Sequence, residues 1–244
     1  MTTSDNVASE VERGDTEIEV AIPEIEVAIL LYDRVTALDA IGSYEVLRGI
    51  PGATVKFVAE TPAPILVDSG LLSLVADYSL DEVPNPDVVL IPAVDATAMH
   101  NERVMAWIRT AHQTSLWMTS VCGGSLLLGA AGLLDGLRAT GHWATKDALE
   151  GFGATYSPNE RYVRQGRIIT AAGVSAGIDM ALYLAGEIAG AKEAQTIQLM
   201  MEYDPKPPFD TGSLGKAPRE DVEMAHARVQ ELVAELSPAT GAQP

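Results

Sequence analysis

The chain has 244 residues, 47% of them hydrophobic and only 5% aromatic, with 34 acidic against 16 basic side chains and a formal net charge of −18. That length and apolar content exclude a disordered chain and suit one large α/β domain or two small ones around a core of Leu, Val, Ile and Ala. The acidity repels phosphate backbones and anionic lipid, so neither nucleic acid nor membrane is an expected partner, and no run of about 18 apolar residues occurs to span a bilayer.

Met1 to Asp15 is polar and acidic, without the basic start and apolar stretch of a signal peptide, and a cytoplasmic protein is expected. Residues 1–23 are expected to form an acidic, flexible extension, 24–203 the α/β domain, and 204–244 a proline-rich arm followed by an amphipathic helix. Within the extension, Glu17-Ile-Glu-Val-Ala-Ile22 repeats perfectly as Glu24-Ile-Glu-Val-Ala-Ile29. The second copy runs into Leu30-Leu31-Tyr32 and is the better first strand. The first copy is an added edge strand or a tail, because Pro23 forbids one continuous central strand.

Short strands then alternate with helical patterns. In Val35-Thr-Ala-Leu-Asp-Ala-Ile-Gly42 an acid, Asp39, is set among apolar residues just before a helix. Asp39 is either a catalytic carboxyl or an ordinary first-turn charge or N-cap. Strands are expected at Ala53–Ala59, Leu71–Ala76 and Asp87–Pro92, the last apolar and β-branched enough to be fully buried. Ile91-Pro92-Ala93-Val94 ends that buried strand. Its backbone N–H groups are candidates for holding a developing anion. Glu102–Gln113 reads as a helix.

Ser115–Val121 reads as a strand that runs into Cys122, the only cysteine. Gly123, Gly124 and Ser125 follow, and then the helical stretch Leu126–Leu134. A strand, sharp turn and helix in this order thrust the turn side chain out of the sheet at the positive end of a helix dipole. A thiolate is stabilised in that position, so Cys122 is expected to be a low-pKa nucleophile. One cysteine also excludes an intrachain disulfide and a cysteine-rich zinc site.

Of the four histidines, His100, His112 and His226 read as ordinary surface. His142, in Arg138-Ala-Thr-Gly-His-Trp-Ala144, reads either as a residue returned to the thiol by a short strand or as a packed histidine beside Trp143. Arg161–Ile169 looks like a hairpin around Gln165-Gly166. Ser175–Ala189 and Lys192–Tyr203 look like two helices, the first capped by Ser175. Tyr203–Arg219 holds four prolines and reads as an arm. In Glu220–Leu236 the stripe Val222, Ala225, Val229, Leu232, Val233 and Leu236 docks either on its own domain or on a second copy. The alternation implies a mostly parallel sheet with helices on both faces. No Walker loop, dinucleotide fingerprint or metal-ligand cluster occurs, and neither cofactor nor metal is expected.

These segments resemble the ThiJ/PfpI superfamily, flavodoxin-like α/β proteins with a cysteine on a nucleophile elbow, and within it the isocyanide hydratase branch, also shared by sensor domains of AraC-type regulators. The resemblance rests on Ile29-Leu-Leu-Tyr-Asp33, Leu38-Asp39-Ala-Ile-Gly42, Ser120 to Leu134, Arg138 to Trp143, Gly173-Val-Ser-Ala-Gly-Ile-Asp179 and Gln198 to Phe209. It implies a homodimeric enzyme acting on a small neutral molecule. In it Cys122 attacks the terminal carbon of an isocyanide, a thioimidate forms, and water releases an N-substituted formamide. Asp39 handles protons, and Gly123, Gly124, Ala93, Val94 and His142 line the substrate site.

Two positions depart from the family's pattern. Gly123 stands where hydratases carry threonine, and Pro92-Ala93-Val94 stands where Pro-Gly-Gly is usual. The departures leave open a related lyase or hydrolase on another electrophilic metabolite. A non-catalytic redox or ligand sensor is the remaining alternative.

Overall fold

The structure is a computed structural model that describes residues 24–93 and 96–236. Val94, the first copy of the repeat and the rest of the N-terminal extension therefore lie outside the described residues. The second copy of the repeat is β1 (Ile25–Leu30), followed by α1 (Ala37–Leu47) and β2 (Ala53–Ala59). β3 (Ala63–Leu66) and β4 (Ser73–Ala76) form a separate antiparallel hairpin, and β5 (Tyr78–Ser79) is very short. β6 (Val88–Ile91), α2 (Glu102–Thr114), β7 (Trp117–Val121) and α3 (Ser125–Ala130) carry the chain through the centre. Then come β8 (Arg138–Ala139), α4 (Lys146–Gly151), β9 (Thr155–Tyr156), β10 (Tyr162–Gln165) and β11 (Ile168–Ala171). Three helices complete the described chain: α5 (Ala176–Ala189), α6 (Ala191–Met200) and α7 (Arg219–Leu236).

The central sheet has the order β10-β11-β7-β6-β1-β2-β5 and is parallel except at the β10–β11 pair. β1 explains why. Its side chains alternate between faces, yet both sets are apolar: Val27 and Ile29 join the core under α1 and α5, while Ala28 and Leu30 join the core under α2 and α3. A strand buried on both faces must be covered by helices on both. Each fully buried Ile or Leu so placed contributes roughly 2 kcal/mol. β1 leads out to β2 on one side, whereas β6 and β7 lie on the other, so the strand order reverses between β1 and β6. A crevice opens there at the carboxyl ends of the strands. The ends of β6 and β7 and the start of α1 all meet at it.

Several expected elements differ in extent. The strand expected over Leu71–Ala76 begins only at Ser73 and pairs with β3, which the prolines Pro62 and Pro64 disguise as loop. The helix expected over Leu126–Leu134 stops at Ala130, and Gly132 turns the chain with φ +79°. The hairpin around Gln165-Gly166 is present, with Gly166 at φ +61°. Ser175 precedes α5 but makes no side-chain cap; its hydroxyl accepts from Arg161 instead. Residues 204–218 form an arm without helix or strand.

Gly124 fixes how closely β6 approaches the turn after β7. A Cβ at this position would fall well inside contact distance of the Ile91 and Pro92 carbonyl oxygens, and backbone cannot yield as a flexible side chain can. Gly124→Ala is expected to cost at least roughly 3 kcal/mol in urea unfolding, in the range of overpacked buried sites. Gly151→Ala, where an added Cβ meets nothing within 4 Å, serves as the control and should unfold near the wild-type midpoint.

Candidate active site

Cys122 follows β7 immediately and adopts φ +58°, a left-handed conformation that non-glycine residues rarely take. Three contacts hold the turn. The Cys122 amide donates to the Ala172 carbonyl at 2.9 Å, the Ser125 hydroxyl donates to the Cys122 carbonyl at 3.1 Å, and Gly141 packs against that same carbonyl. The side chain turns toward α1 and α5 and is only 8% exposed.

Asp39, in the first turn of α1, is completely buried. It does not cap its helix. Its Oδ2 accepts the Ala93 amide at 2.8 Å, across the crevice from the end of β6. Its Oδ1 has no nitrogen or oxygen partner among the described residues, and the Cys122 thiol lies within hydrogen-bonding reach of the carboxyl. The structure thus brings together the two residues that the sequence singles out for proton and sulfur chemistry.

Burial dominates the ionisation of both. It raises Asp39 from 3.8 to about 7, with the charge of Asp68 adding to the rise and the Ala93 amide opposing it. Burial, then the charge of Asp39, pushes the Cys122 thiol up to about 12, while the backbone amides of Val174 and Gly123 pull the other way. This corrects the expectation of a low-pKa thiolate. The helix after the elbow has only six residues, and the sulfur sits out of water beside a carboxyl rather than at an open helix end. Above pH 7 the pair therefore holds one proton and one negative charge, with the thiol as donor and the carboxylate as acceptor.

The expected oxyanion donors also change. The Ala93 N–H is occupied by Asp39, so it does not face a substrate. Ala93 has no positive φ, so an alanine is accommodated there without strain. The amides directed at the sulfur are those of Gly123, which was expected at the site, and Val174, which was not. Gly123 likewise has no positive φ, so its backbone does not demand glycine. Val174 does stand out, at φ +34° in the turn between β11 and α5.

His142 lies on the wall of the site rather than beside the sulfur. It packs on Gly173 and stacks against Trp143 at 4.7 Å, and its Nδ1 accepts from the Ala144 amide at 3.3 Å. Burial lowers its pKa, so it is neutral, and the charges that act on the thiol come from Asp39 and Asp68 instead. With Gly141, Trp143, Tyr156, Pro158 and Leu214 it lines a cleft of about 330 Å³ whose wall includes Gly173 and Val174 but not Cys122. Gly212, Ser213 and Leu214 of the proline-rich arm form part of that wall.

Besides Val174, two further residues of the site escape sequence reasoning. The Tyr32 hydroxyl donates to the Pro92 and Ala93 carbonyls and pins the end of β6. Burial and the neighbouring Asp39 and Cys122 keep it a neutral phenol. Asp68, from the hairpin loop, accepts the Thr36 hydroxyl at 2.8 Å at the start of α1. Tyr32 sits in a segment that resembles the family's, which is a usable signal. Asp68 follows an unremarkable apolar run and offers none. No group of three or more potential metal ligands occurs among the described residues.

The pattern that defines the DJ-1/PfpI family matches residues 25–187. Isonitrile hydratase of Pseudomonas putida is 41% identical over 206 residues, covering 84% of this chain and 90% of that protein. The HTH-type transcriptional regulator CdhR of Pseudomonas aeruginosa is 30% identical over 133 residues, 54% of this chain and 39% of the regulator. The crystal structure of a ThiJ/PfpI family protein from Pseudomonas syringae superposes with a TM-score of 0.83 at 33% identity, covering 94% of this chain and 96% of that one. Drosophila melanogaster DJ-1beta shares the fold, with a TM-score of 0.68 at 20% identity, over 74% of this chain and 98% of its own.

The raised pKa of Asp39 has a cost for folding. Between pH 3.8 and about 7 the unfolded carboxyl ionises while the folded one resists, so stability falls across that window and stays low above it. Asp39→Asn removes the penalty. It is expected to match wild type near pH 4 and to exceed it by up to roughly 4 kcal/mol at pH 8, read by chemical unfolding at both pH values. A difference independent of pH would contradict the assignment.

Proposed function

This chain belongs to the DJ-1/PfpI family, and from that premise we propose that it is an isocyanide hydratase-like hydro-lyase, with Cys122 as nucleophile and Asp39 as the proton-carrying group. The observation that carries this reading is the buried thiol and carboxyl side by side, in a chain 41% identical to an isonitrile hydratase over most of its length.

The chemistry follows from the single shared proton. An isocyanide carbon is electrophilic towards sulfur and, once attacked, becomes basic at the same carbon. The Cys122 sulfur forms the C–S bond as Asp39 takes the thiol proton. Asp39 then delivers that proton to the attacked carbon, giving a thioimidate, S–CH=N–R. Water adds to the same carbon with Asp39 as base, and the proton Asp39 takes from it passes to the nitrogen, leaving S–CH(OH)–NH–R, whose hydroxyl proton is the one that sulfur receives. Collapse breaks the C–S bond, returns a proton to sulfur and releases the N-substituted formamide. Water and isocyanide enter and formamide leaves, with the thiol and carboxylate restored. A carboxyl with pKa about 7 suits both roles at neutral pH. The Gly123 and Val174 amides stabilise the negative charge that passes through the sulfur.

The remaining parts of the site fit a small neutral substrate. Gly123 places bare backbone beside the sulfur, which suits the approach of a small, unbranched isocyanide carbon. The protein acts as a homodimer on this reading. Val222, Ala225 and Val229 of α7 are only half-buried and Leu232 is 44% exposed, so a second copy would cover an apolar face that its own domain leaves partly open. A single free cysteine at the centre of the chemistry suits the reducing cytoplasm.

Purified protein given a simple alkyl isocyanide is expected to form the corresponding formamide, with kcat/KM rising one proton's worth through about pH 7. Cys122→Ala should give background product only. Asp39→Asn should lose about 10²–10⁴ in kcat, the usual contribution of a proton-transferring group, together with the pH 7 limb. Equal product from wild type and Cys122→Ala would refute the reading.

A further inference from the structure

Val174 is a β-branched residue at φ +34°, a conformation that persists only where the surroundings impose it. The same turn holds Cys122 through the Ala172 carbonyl, which accepts the Cys122 amide at 2.9 Å, and Val174 packs against the cluster that includes Cys122, with its amide directed at the sulfur, where it opposes the larger effect of burial. On one side the turn is walled by His142, whose Cδ2 lies 2.9 Å from where a Gly173 Cβ would be. On the other side lies a chain of polar contacts that the hydration chemistry leaves unused.

Arg161 is its centre. Nε donates to Asp179 Oδ2 at 2.5 Å, while Nη1 and Nη2 donate to the Ser175 hydroxyl at 3.2 and 3.3 Å. The Arg161 carbonyl accepts the Ala172 amide at 2.9 Å, so backbone and side chain of one residue bracket the turn from both ends. Tyr203 donates its phenol to the other oxygen, Asp179 Oδ1, at 2.6 Å. Both carboxylate oxygens of Asp179 are thus engaged, which fixes the plane in which the guanidinium lies. Burial and the adjacent Asp179 hold the Tyr203 phenol up to about 12, so it remains a donor at any working pH. Ser175 is the next residue after Val174. It spends no hydrogen bond on capping α5, and its hydroxyl is free to serve this contact.

We propose that Tyr203, Asp179 and Arg161 form a positioning clamp that grips Ser175 and thereby holds the strained Val174 turn with its N–H on the Cys122 sulfur. The clamp spans the start of α5, the start of β10 and the end of α6. It therefore makes the reactivity of the thiol depend on residues that touch neither sulfur nor substrate. The proposal goes beyond the hydratase reading, because it concerns the thiol's reactivity towards any electrophile.

The test is the pH dependence of Cys122 alkylation by iodoacetamide in the full chain, which needs no isocyanide. Ser175→Ala disconnects the turn while leaving the Arg161–Asp179–Tyr203 contacts intact. It is expected to slow alkylation about tenfold at pH 8, to move the midpoint of the pH profile upward, and to leave the melting temperature near wild type. Ser175→Thr, which keeps the hydroxyl, should restore the wild-type profile. Asp179→Ala should reproduce the Ser175→Ala profile where it folds, and where it does not, the two serine variants decide. An alkylation profile for Ser175→Ala that overlays wild type would overturn the clamp and leave the network a purely structural one. Failure of the wild type to hydrate isocyanides would instead refute the hydratase reading and leave the alkylation result to stand on its own.

Discussion

Taking a thiol and a carboxyl out of water side by side is unfavourable for both acids. They remain there because one proton between them halves the charge that has to be buried. The Ala93 amide reduces the cost of the charge on Asp39, and the Val174 and Gly123 amides reduce the cost when the charge moves to sulfur. Each amide is supplied by a different element: the end of β6, the turn into α5, and the elbow itself. The parallel sheet matters because it ends all these elements at one crevice. Gly124 matters because it lets the β6 carbonyls come down onto the elbow.

Two of the five non-glycine residues with positive φ among the described residues meet in the same place. Cys122 and Val174 both have positive φ without being glycine, and each faces the other's functional atom. Each such conformation costs about 1–3 kcal/mol and is held by packing elsewhere. The penalty carried by Asp39 adds to it. Stability withdrawn from the site is returned by the two apolar layers on either face of β1, β6 and β7, where Ile29, Leu30, Leu90 and Ile91 are fully buried. A fold of this size can carry a destabilised site because its core is deep on both sides of the sheet.

Much of this was legible in the sequence, and the reasons are specific. The alternation of apolar strands and amphipathic helices gave the architecture, because side-chain period is a local property. An apolar run ending in Cys122-Gly123-Gly124 marked the elbow, and an acid between Ala37-Leu38 and Ala40-Ile41 marked Asp39. Whatever depends on distant segments meeting was not legible. Val174 looks like any loop valine until its backbone angles are seen. Arg161, Asp179 and Tyr203 come from three elements and carry no common signature. The hairpin strand β3 hid behind Pro62 and Pro64. The ionisation of Cys122 departs from the sequence expectation for a physical reason: the elbow pattern signals a helix dipole, while burial and the carboxyl beside it, which dominate, have no sequence signal.

Infrared spectroscopy across the neutral range tests the shared proton directly, with Cys122→Ala and Asp39→Asn as the difference references. The Cys122 S–H stretch should be present at pH 8 while the protonated-carboxyl band of Asp39 disappears through about pH 7. A spectrum with no S–H band at neutral pH, or with both groups ionised together, would contradict the account.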